Sequence, residues 1–198
     1  MQATTGVRTL ADLIGVSNRT RNIILVVGAS LLTGLAAQME IRLPWTPVPI
    51  TLQTFVVFLV SAALGTRRAV AAMLLYLLEG SMGLPFFSGG AAGLAHLFGP
   101  TGGYLIGFVV AAAVIGFLAE RGWDRSPITS WLAMALGSAA LFACGLAQLA
   151  TFLPNEQVIA AGLTPFLLGN LLKVTAAAVL LPSVWRLLER GGLSNRKG

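Results

Sequence analysis

The stretch FSGGAAGLAHLFGPTGGY, residues 87–104, lies between two strongly apolar runs of the chain. It is crowded with glycine and contains a proline and the only histidine, His96. Glycine and proline disfavour helix interiors, so this segment is not expected to cross a membrane as a helix. The apolar runs on either side of it therefore decide the fold class.

The composition indicates an integral membrane protein. Hydrophobic residues make up 56% of the 198 residues and charged residues only 10%, whereas a soluble domain carries about 25% charged residues. The apolar residues form continuous blocks, while a membrane barrel would show alternating segments of about 10 residues. We therefore predict an all-α membrane protein.

Six apolar runs approach the length of about 20 residues that a membrane-spanning helix needs. These predicted spans are Asn22–Met39, Ile50–Leu64, Ala69–Leu84, Gly102–Ala119, Ile128–Phe152 and Leu163–Leu188. With six spans, 11 of the 13 lysines and arginines fall on one side of the membrane. Because cytoplasmic loops are enriched in these residues, we predict six transmembrane helices with both termini cytoplasmic. This sorting also accounts for the net charge of +6 without a nucleic-acid partner.

The predicted organisation has three parts. Residues 1–21 form a cytoplasmic tail, 22–190 a transmembrane substrate-binding domain, and 191–198 a basic C-terminal tail. In the first tail, Val7, Leu10, Leu13 and Ile14 recur at helical spacing. That tail is expected to be either a short interfacial helix or disordered.

Two long segments are expected on the outer face. Residues 39–50, MEIRLPWTPVPI, contain three prolines that oppose a helix, and Trp45 among them is either an interfacial anchor or a wall of a ligand site. Residues 79–103 form a long connection for which we predict no regular structure. Because it is apolar, we expect it to fold back over the bundle, where protein or ligand satisfies its polar groups.

The polar residues inside the spans indicate a binding site. Lys173 lies about 15 Å into the sixth span, where a charge is costly and usually functional; the alternative is a structural, snorkelling lysine. Asn170 lies three residues earlier, on the same helix face. Gln53, near the outer end of the second span, forms either an interhelical hydrogen bond or a ligand contact.

Catalytic, metal-binding and ATP-binding motifs are missing from the sequence. We therefore expect no enzyme, no cofactor and no metal, and energy for any active transport from a partner or an ion gradient. The residues predict an outward-facing pocket for a small, partly apolar, anionic solute.

Three segments carry a resemblance to a known family. PVPITLQTFVVFL (47–59), GLPFFSGGAAGLAHLFGPTGGYLIGF (83–108) and LLGNLLK (167–173) together resemble the BioY family. Members are biotin-specific substrate-binding (S) components of energy-coupling-factor (ECF) transporters. The resemblance implies a six-helix S-component bundle in the prokaryotic cytoplasmic membrane. It also implies biotin uptake with a transmembrane coupling subunit and two ATPases, which alone use ATP.

The resemblance also implies roles for individual residues. Asn170 and Lys173 match a polar residue and a lysine that hold biotin, and family members commonly have an acidic residue where this chain has Asn170. The ureido ring is expected at these two side chains; a rival pose puts the biotin carboxylate on Lys173. We expect the following residues to enclose the rest of the ligand, with the carboxylate near the two glycines: Phe86, Phe87, Trp45, Tyr104, Gly89 and Gly90.

The first span carries small residues four apart, a pattern that permits close helix packing. We predict that the coupling subunit contacts this face, which comprises Ser30, Thr33, Gly34 and Ala37. Two other functions remain open: a self-sufficient carrier, and an S component for another small vitamin.

Overall fold

The computed structural model describes residues 9–13 and 19–190, which form a bundle of helices with a short β-hairpin on one end. The helices are α1 (Leu10–Leu13), α2 (Arg19–Ala37), α3 (Gln53–Leu64), α4 (Thr66–Ser81), α5 (Leu94–Leu97), α6 (Gly102–Ala119), α7 (Pro127–Leu149), α8 (Asn155–Gly162) and α9 (Thr164–Arg190). The strands β1 (Glu40–Ile41) and β2 (Ile50–Thr51) form the hairpin.

Each predicted span overlaps one helix; in chain order these helices are α2, α3, α4, α6, α7 and α9. Within the described part of the chain, four stretches are long and apolar enough to cross a membrane: Arg19–Ala37, Gly102–Ala119, Pro127–Leu149 and Asn155–Leu188. The helices α3 and α4 have 12 and 16 residues, fewer than the roughly 20 that a perpendicular span needs. The structure thus supports a helical membrane protein, and six complete crossings stay a prediction.

The joint between α3 and α4 is a single glycine, Gly65, with a φ of 77°. A side chain there would meet Glu120 Oε1 at 2.8 Å, and this oxygen accepts a hydrogen bond from the Thr66 backbone N–H at 2.8 Å. Glycine is required at this joint because of both its positive φ and the closeness of α6. The predicted turn is therefore confirmed at Gly65 alone, because Thr66, Arg67 and Arg68 already belong to α4.

Helix α6 packs most extensively on α7, and glycines on α6 make that approach possible. A Cβ at Gly103 would lie 2.4 Å from the Cys144 carbonyl oxygen, and one at Gly107 would lie 2.8 Å from the Leu141 carbonyl oxygen. Two backbones this close leave no room for any side chain between them. Gly103 of GPTGGY and Gly107 in the following turn thus serve the packing of α6 on α7.

The first outer segment contains regular structure that the sequence analysis did not predict. Glu40 pairs with Thr51 and Ile41 with Ile50 in an antiparallel hairpin. The three prolines of the segment stand in the connection between the strands, where no ladder hydrogen bond is lost. Helix α8 was likewise not predicted.

The long outer segment also differs in part from its prediction. Helix α4 continues to Ser81, a 3₁₀ turn occupies Ser88–Gly90, and α5 follows. The segment packs against the bundle as expected, since the Phe87 side chain within it is fully buried.

The N-terminal tail is described only at residues 9–13, so Val7 and Ile14 lie outside the described residues, as does the basic C-terminal tail. Residues Leu10–Leu13 are helical, and Ala11 is buried against the bundle. Asp12 Oδ1 accepts a 2.9 Å hydrogen bond from Arg68 at the α3–α4 joint. This short helix therefore docks on the protein itself.

The predicted coupling-subunit face on α2 is wrong in this structure. Ser30, Thr33, Gly34 and Ala37 are all buried inside the chain. The Ser30 hydroxyl donates to the Glu79 carboxylate of α4, and a Cβ at Gly34 would lie 3.1 Å from the Phe86 ring. Small residues on α2 thus permit packing within the bundle, and this face has no surface left for another subunit.

Candidate ligand-binding cavity

A cavity opens at the hairpin end of the bundle, between the start of α3 and the helices α6, α7 and α9. Its free volume is about 70 Å³, room for roughly two water molecules at the ~30 Å³ that each occupies in the liquid. Residues from six parts of the chain line it: Val48, Pro49, Ile50, Thr51, Gln53, Thr54, Ser88, His96, Thr101, Tyr104, Leu105, Phe108, Leu141, Phe142, Phe166, Gly169, Asn170 and Lys173. Mostly apolar walls with a few polar groups are typical of small-molecule sites.

Lys173 supplies the cationic group in this wall. Its Nζ donates to the Thr51 carbonyl oxygen at 2.5 Å and to Thr54 Oγ1 at 2.9 Å. The ion pairs found among the described residues are Arg42–Glu40 and Arg68–Asp12, so Lys173 faces neutral oxygens. An ammonium group has three donors, and one of them therefore remains for a ligand.

Asn170 lies beside Lys173 on α9 and is tied to α7. Its Oδ1 accepts a hydrogen bond from Ser138 Oγ at 3.3 Å, and Ser138 is only 4% exposed. A carbonyl-type oxygen has a second lone pair, so Asn170 can still accept from a ligand. The structure therefore brings the predicted pair Asn170 and Lys173 together in one wall.

Gln53 also lines the cavity, but its amide group is used within the protein. Its Oε1 accepts from Thr51 Oγ1 at 3.1 Å, and its Nε2 donates to Tyr76 Oη at 2.7 Å. Tyr76 in turn donates to the Phe86 carbonyl oxygen at 3.2 Å. Of the two interpretations of Gln53, the structure thus contains the interhelical hydrogen bond, and a ligand contact stays a prediction.

An aromatic wall stands opposite the start of α3. The Tyr104 hydroxyl donates to the Gly162 carbonyl oxygen at 2.7 Å, which fixes the ring. The Tyr104 ring centroid lies 6.3 Å from that of Phe142 and 6.5 Å from that of Phe166. Tyr104 was predicted for the site, whereas the two phenylalanines were missed, because their spacing equals that of any lipid-facing or core residue.

Two glutamines hold the outer segment closed over the bundle. Gln38 Nε2 lies 3.2 Å from both the Pro85 and the Phe87 carbonyl oxygens. Gln148 Nε2 donates to the Leu97 carbonyl oxygen at 2.9 Å and to that of Gly99 at 2.7 Å. Side-chain amides thus satisfy carbonyl oxygens of the irregular backbone.

Five of the predicted contact residues lie outside the cavity wall, which corrects the predicted enclosure. The Phe87 ring is buried beneath the segment and stacks on His96 with centroids 5.1 Å apart, and Phe86 packs on α2. Trp45 is 66% exposed. Gly89 and Gly90 are exposed, and the Gly90 N–H already donates to Gln38 Oε1 at 3.0 Å, so the geometry does not support the predicted carboxylate site there.

The polar groups at the mouth were not predicted. Ser88, His96 and Thr101 line the cavity there, and His96 Nε2 lies 3.2 Å from Thr101 Oγ1. Burial lowers the pKa of His96, which favours the neutral imidazole. The sequence signal available was that the sole histidine falls within the glycine-rich outer segment.

The chain matches the model of the BioY family over residues 6–190. It belongs to the BioY family. The biotin transporter BioY of Thermotoga maritima is 39% identical over 142 residues, covering 71% of this chain and 82% of the relative. The probable biotin transporter BioY of Pyrococcus horikoshii is 32% identical over 162 residues, covering 82% and 94%.

A solved structure shares the fold of this member of the BioY family. It is a crystal structure of the S-component for biotin from an ECF-type ABC transporter, with a TM-score of 0.78. The match covers 87% of this chain and 95% of the other at 22% identity. The predicted S-component architecture is therefore confirmed at the level of the fold.

Proposed function

We propose that this chain binds biotin at the outer face of a prokaryotic cytoplasmic membrane and serves its uptake as the S component of an ECF transporter. The observation that carries this proposal is a cavity with Asn170 and Lys173 in one wall, in a chain of the BioY family. The matched relatives named above are biotin transporters or probable ones.

The chemistry of the wall suits the ureido ring of biotin, which has two N–H donors and one carbonyl acceptor. The remaining Lys173 donor reaches the carbonyl oxygen, and Asn170 Oδ1 accepts from a ring N–H. The Tyr104, Phe142 and Phe166 rings pack against the thiophane ring, which suits an apolar aromatic surface. In the rival pose, the biotin carboxylate replaces the ureido carbonyl at Lys173.

In the first pose the valerate chain leads towards the mouth, and its carboxylate lies near the Ser88 and Thr101 hydroxyls. The two poses predict different affinities for the methyl ester of biotin. With the carboxylate at the mouth, biotin methyl ester binds within about tenfold of biotin. With the carboxylate on Lys173, the ester loses a charge-assisted hydrogen bond of about 1.5–3 kcal/mol and leaves a desolvated ammonium, so it binds more than about 100-fold more weakly.

The proposed topology has six crossings and cytoplasmic termini, with the cavity mouth outside. The sorting of arginines and lysines supports this orientation, and local thinning of the bilayer accommodates the short helices α3 and α4. The substrate-binding domain is residues 22–190, between the two tails. Energy comes from partner subunits, a transmembrane coupling protein and ATPases, so this chain needs no cofactor of its own.

Uptake of labelled biotin in cells tests this proposal and its alternatives. We expect uptake when the chain is expressed with coupling and ATPase subunits, and none when it is expressed alone. Uptake by the chain alone indicates a self-sufficient carrier. No uptake of labelled biotin, together with uptake of another labelled vitamin by the same cells, indicates an S component for that vitamin and refutes the proposal.

A further inference from the structure

A second cavity lies directly outside the first, and we call it the vestibule. Its free volume is about 440 Å³, against about 70 Å³ for the inner cavity by the same measure. Four residues line both spaces and form the neck between them: Pro49, Ser88, His96 and Thr101. At the roughly 30 Å³ that a water molecule occupies in the liquid, the vestibule has room for about fifteen water molecules.

The relative sizes decide which part of a ligand each space accepts. The inner cavity is the narrower space and holds Asn170 and Lys173, so the compact bicyclic ring is assigned to it and the side chain to the wider vestibule. The valerate chain of biotin must then pass the neck, and its carboxylate ends where the vestibule begins. A group attached to that carboxylate meets open space and no protein wall.

The vestibule is a preformed space with fixed walls. On the hairpin side, Thr46 Oγ1 donates to the Ala161 carbonyl oxygen at 2.7 Å and accepts from the Val48 N–H at 3.1 Å. On the opposite side, the Gln38 and Gln148 hydrogen bonds described above fix the outer segment. A preformed site avoids the entropic cost of ordering its walls when a ligand binds.

The polar groups of the vestibule suit an amide with a charged end. Within the described residues the Ser88 hydroxyl at the neck makes no hydrogen bond, and it can bond an amide group. Arg42 stands further out, with its side chain 71% exposed and its Nε 2.6 Å from Glu40 Oε1. Its guanidinium has further donors for a carboxylate.

We propose that the vestibule binds the amino-acid part of biotin amides, so that this chain accepts biotinyl-amino acids such as Nε-biotinyl-lysine as well as free biotin. This inference rests on the proposed function, because the biotin ring must occupy the inner cavity. The amide group of the bound conjugate lies at the neck, and the carboxylate of its amino-acid part contacts Arg42.

Calorimetric titration of the purified full chain with biotin and with Nε-biotinyl-lysine tests the inference. Wild type is expected to bind biotinyl-lysine within about tenfold of biotin. Leu43→Trp fills the vestibule at a residue that does not line the inner cavity, and should raise the ratio of the two dissociation constants at least about tenfold. Leu94→Trp is the matched control, because Leu94 is 61% exposed and lines neither space; its ratio should equal that of wild type.

Other outcomes overturn the inference. If wild type binds biotin but binds biotinyl-lysine more than about 100-fold more weakly, the vestibule does not accept the extension. An unchanged ratio in Leu43→Trp means that the conjugate does not occupy the vestibule. If wild type binds neither compound, the proposed function fails first and the inference fails with it.

Discussion

Replacing Gly103 by alanine tests whether the close contact of α6 and α7 builds the cavity. The added Cβ would lie 2.4 Å from the Cys144 carbonyl oxygen and 2.7 Å from Gln148 Cβ. The first distance is about 1 Å inside normal van der Waals contact. The obstacle is helix backbone, so α6 and α7 must separate.

The structure sets the expected magnitude. Overpacking of this kind costs about 1–3 kcal/mol, which for a chain of this length lowers the melting temperature by roughly 2–12 °C. Gly162 ends α8, which packs on α7. If α8 stays with α7, a shift of α6 by about 1 Å lengthens the 2.7 Å hydrogen bond from Tyr104 to the Gly162 carbonyl oxygen beyond hydrogen-bonding distance. Since Tyr104 lines the cavity, biotin affinity should fall as well.

The assay is thermal unfolding of the detergent-purified protein by tryptophan fluorescence, with and without biotin. Gly28→Ala is the matched control, because nothing lies within 4 Å of its Cβ position and alanine favours the helix. We expect the control to melt at or slightly above the wild-type temperature. A Gly103→Ala variant that melts no lower than wild type refutes the packing argument.

Three further predictions concern hydrogen bonds. Thr54→Val removes one of the two oxygens that hold the Lys173 ammonium, a loss of about 0.5–1.5 kcal/mol, so the Kd for biotin should rise roughly 2- to 12-fold; an unchanged Kd contradicts this. Gln148→Leu leaves two carbonyl oxygens of the outer segment without a hydrogen bond, so amide hydrogen exchange in that segment should accelerate. Equal protection in wild type and Gln148→Leu would show that Gln148 does not hold the segment. Burial raises the pKa of Asp124, whose Oδ2 accepts a hydrogen bond from Trp185 Nε1. The buried carboxyl therefore stabilises the folded protein while it is neutral, and this contribution to the free energy of unfolding is lost as the pH rises through the folded-state pKa. Asp124→Asn keeps an acceptor without the charge, so its melting-temperature gain over wild type should be larger at pH 8 than at pH 4, and an equal effect at both pH values disproves this.

The sequence was sufficient for the parts of the fold that depend on local composition. Apolar blocks predicted the positions of the helices α2, α3, α4, α6, α7 and α9, and the Gly65 joint followed from the GTRR turn. The pair Asn170 and Lys173 was visible because a charge within an apolar helix is rare, and their three-residue spacing put both on one face.

The remaining features depend on contacts between residues far apart in the chain. Gln38 contacts backbone oxygens 47 and 49 residues away, and no periodicity reveals such a pair. Thr51 and Thr54 acquire their roles only because α9 brings Lys173 to the start of α3. The small residues of α2 illustrate the same limit, because a small-residue face permits packing against any partner, inside the chain or outside it.

The most direct test of the account is titration of the purified protein with biotin, comparing wild type with Lys173→Met. Loss of the ammonium removes a charge-assisted hydrogen bond of about 1.5–3 kcal/mol, which raises Kd roughly 10- to 160-fold. Arg67→Met is the matched control, because it removes an exposed cation at the α3–α4 joint and should leave Kd unchanged. The account predicts saturable biotin binding that Lys173→Met weakens and Arg67→Met does not. Equal affinity in all three proteins, or no binding by wild type, contradicts it.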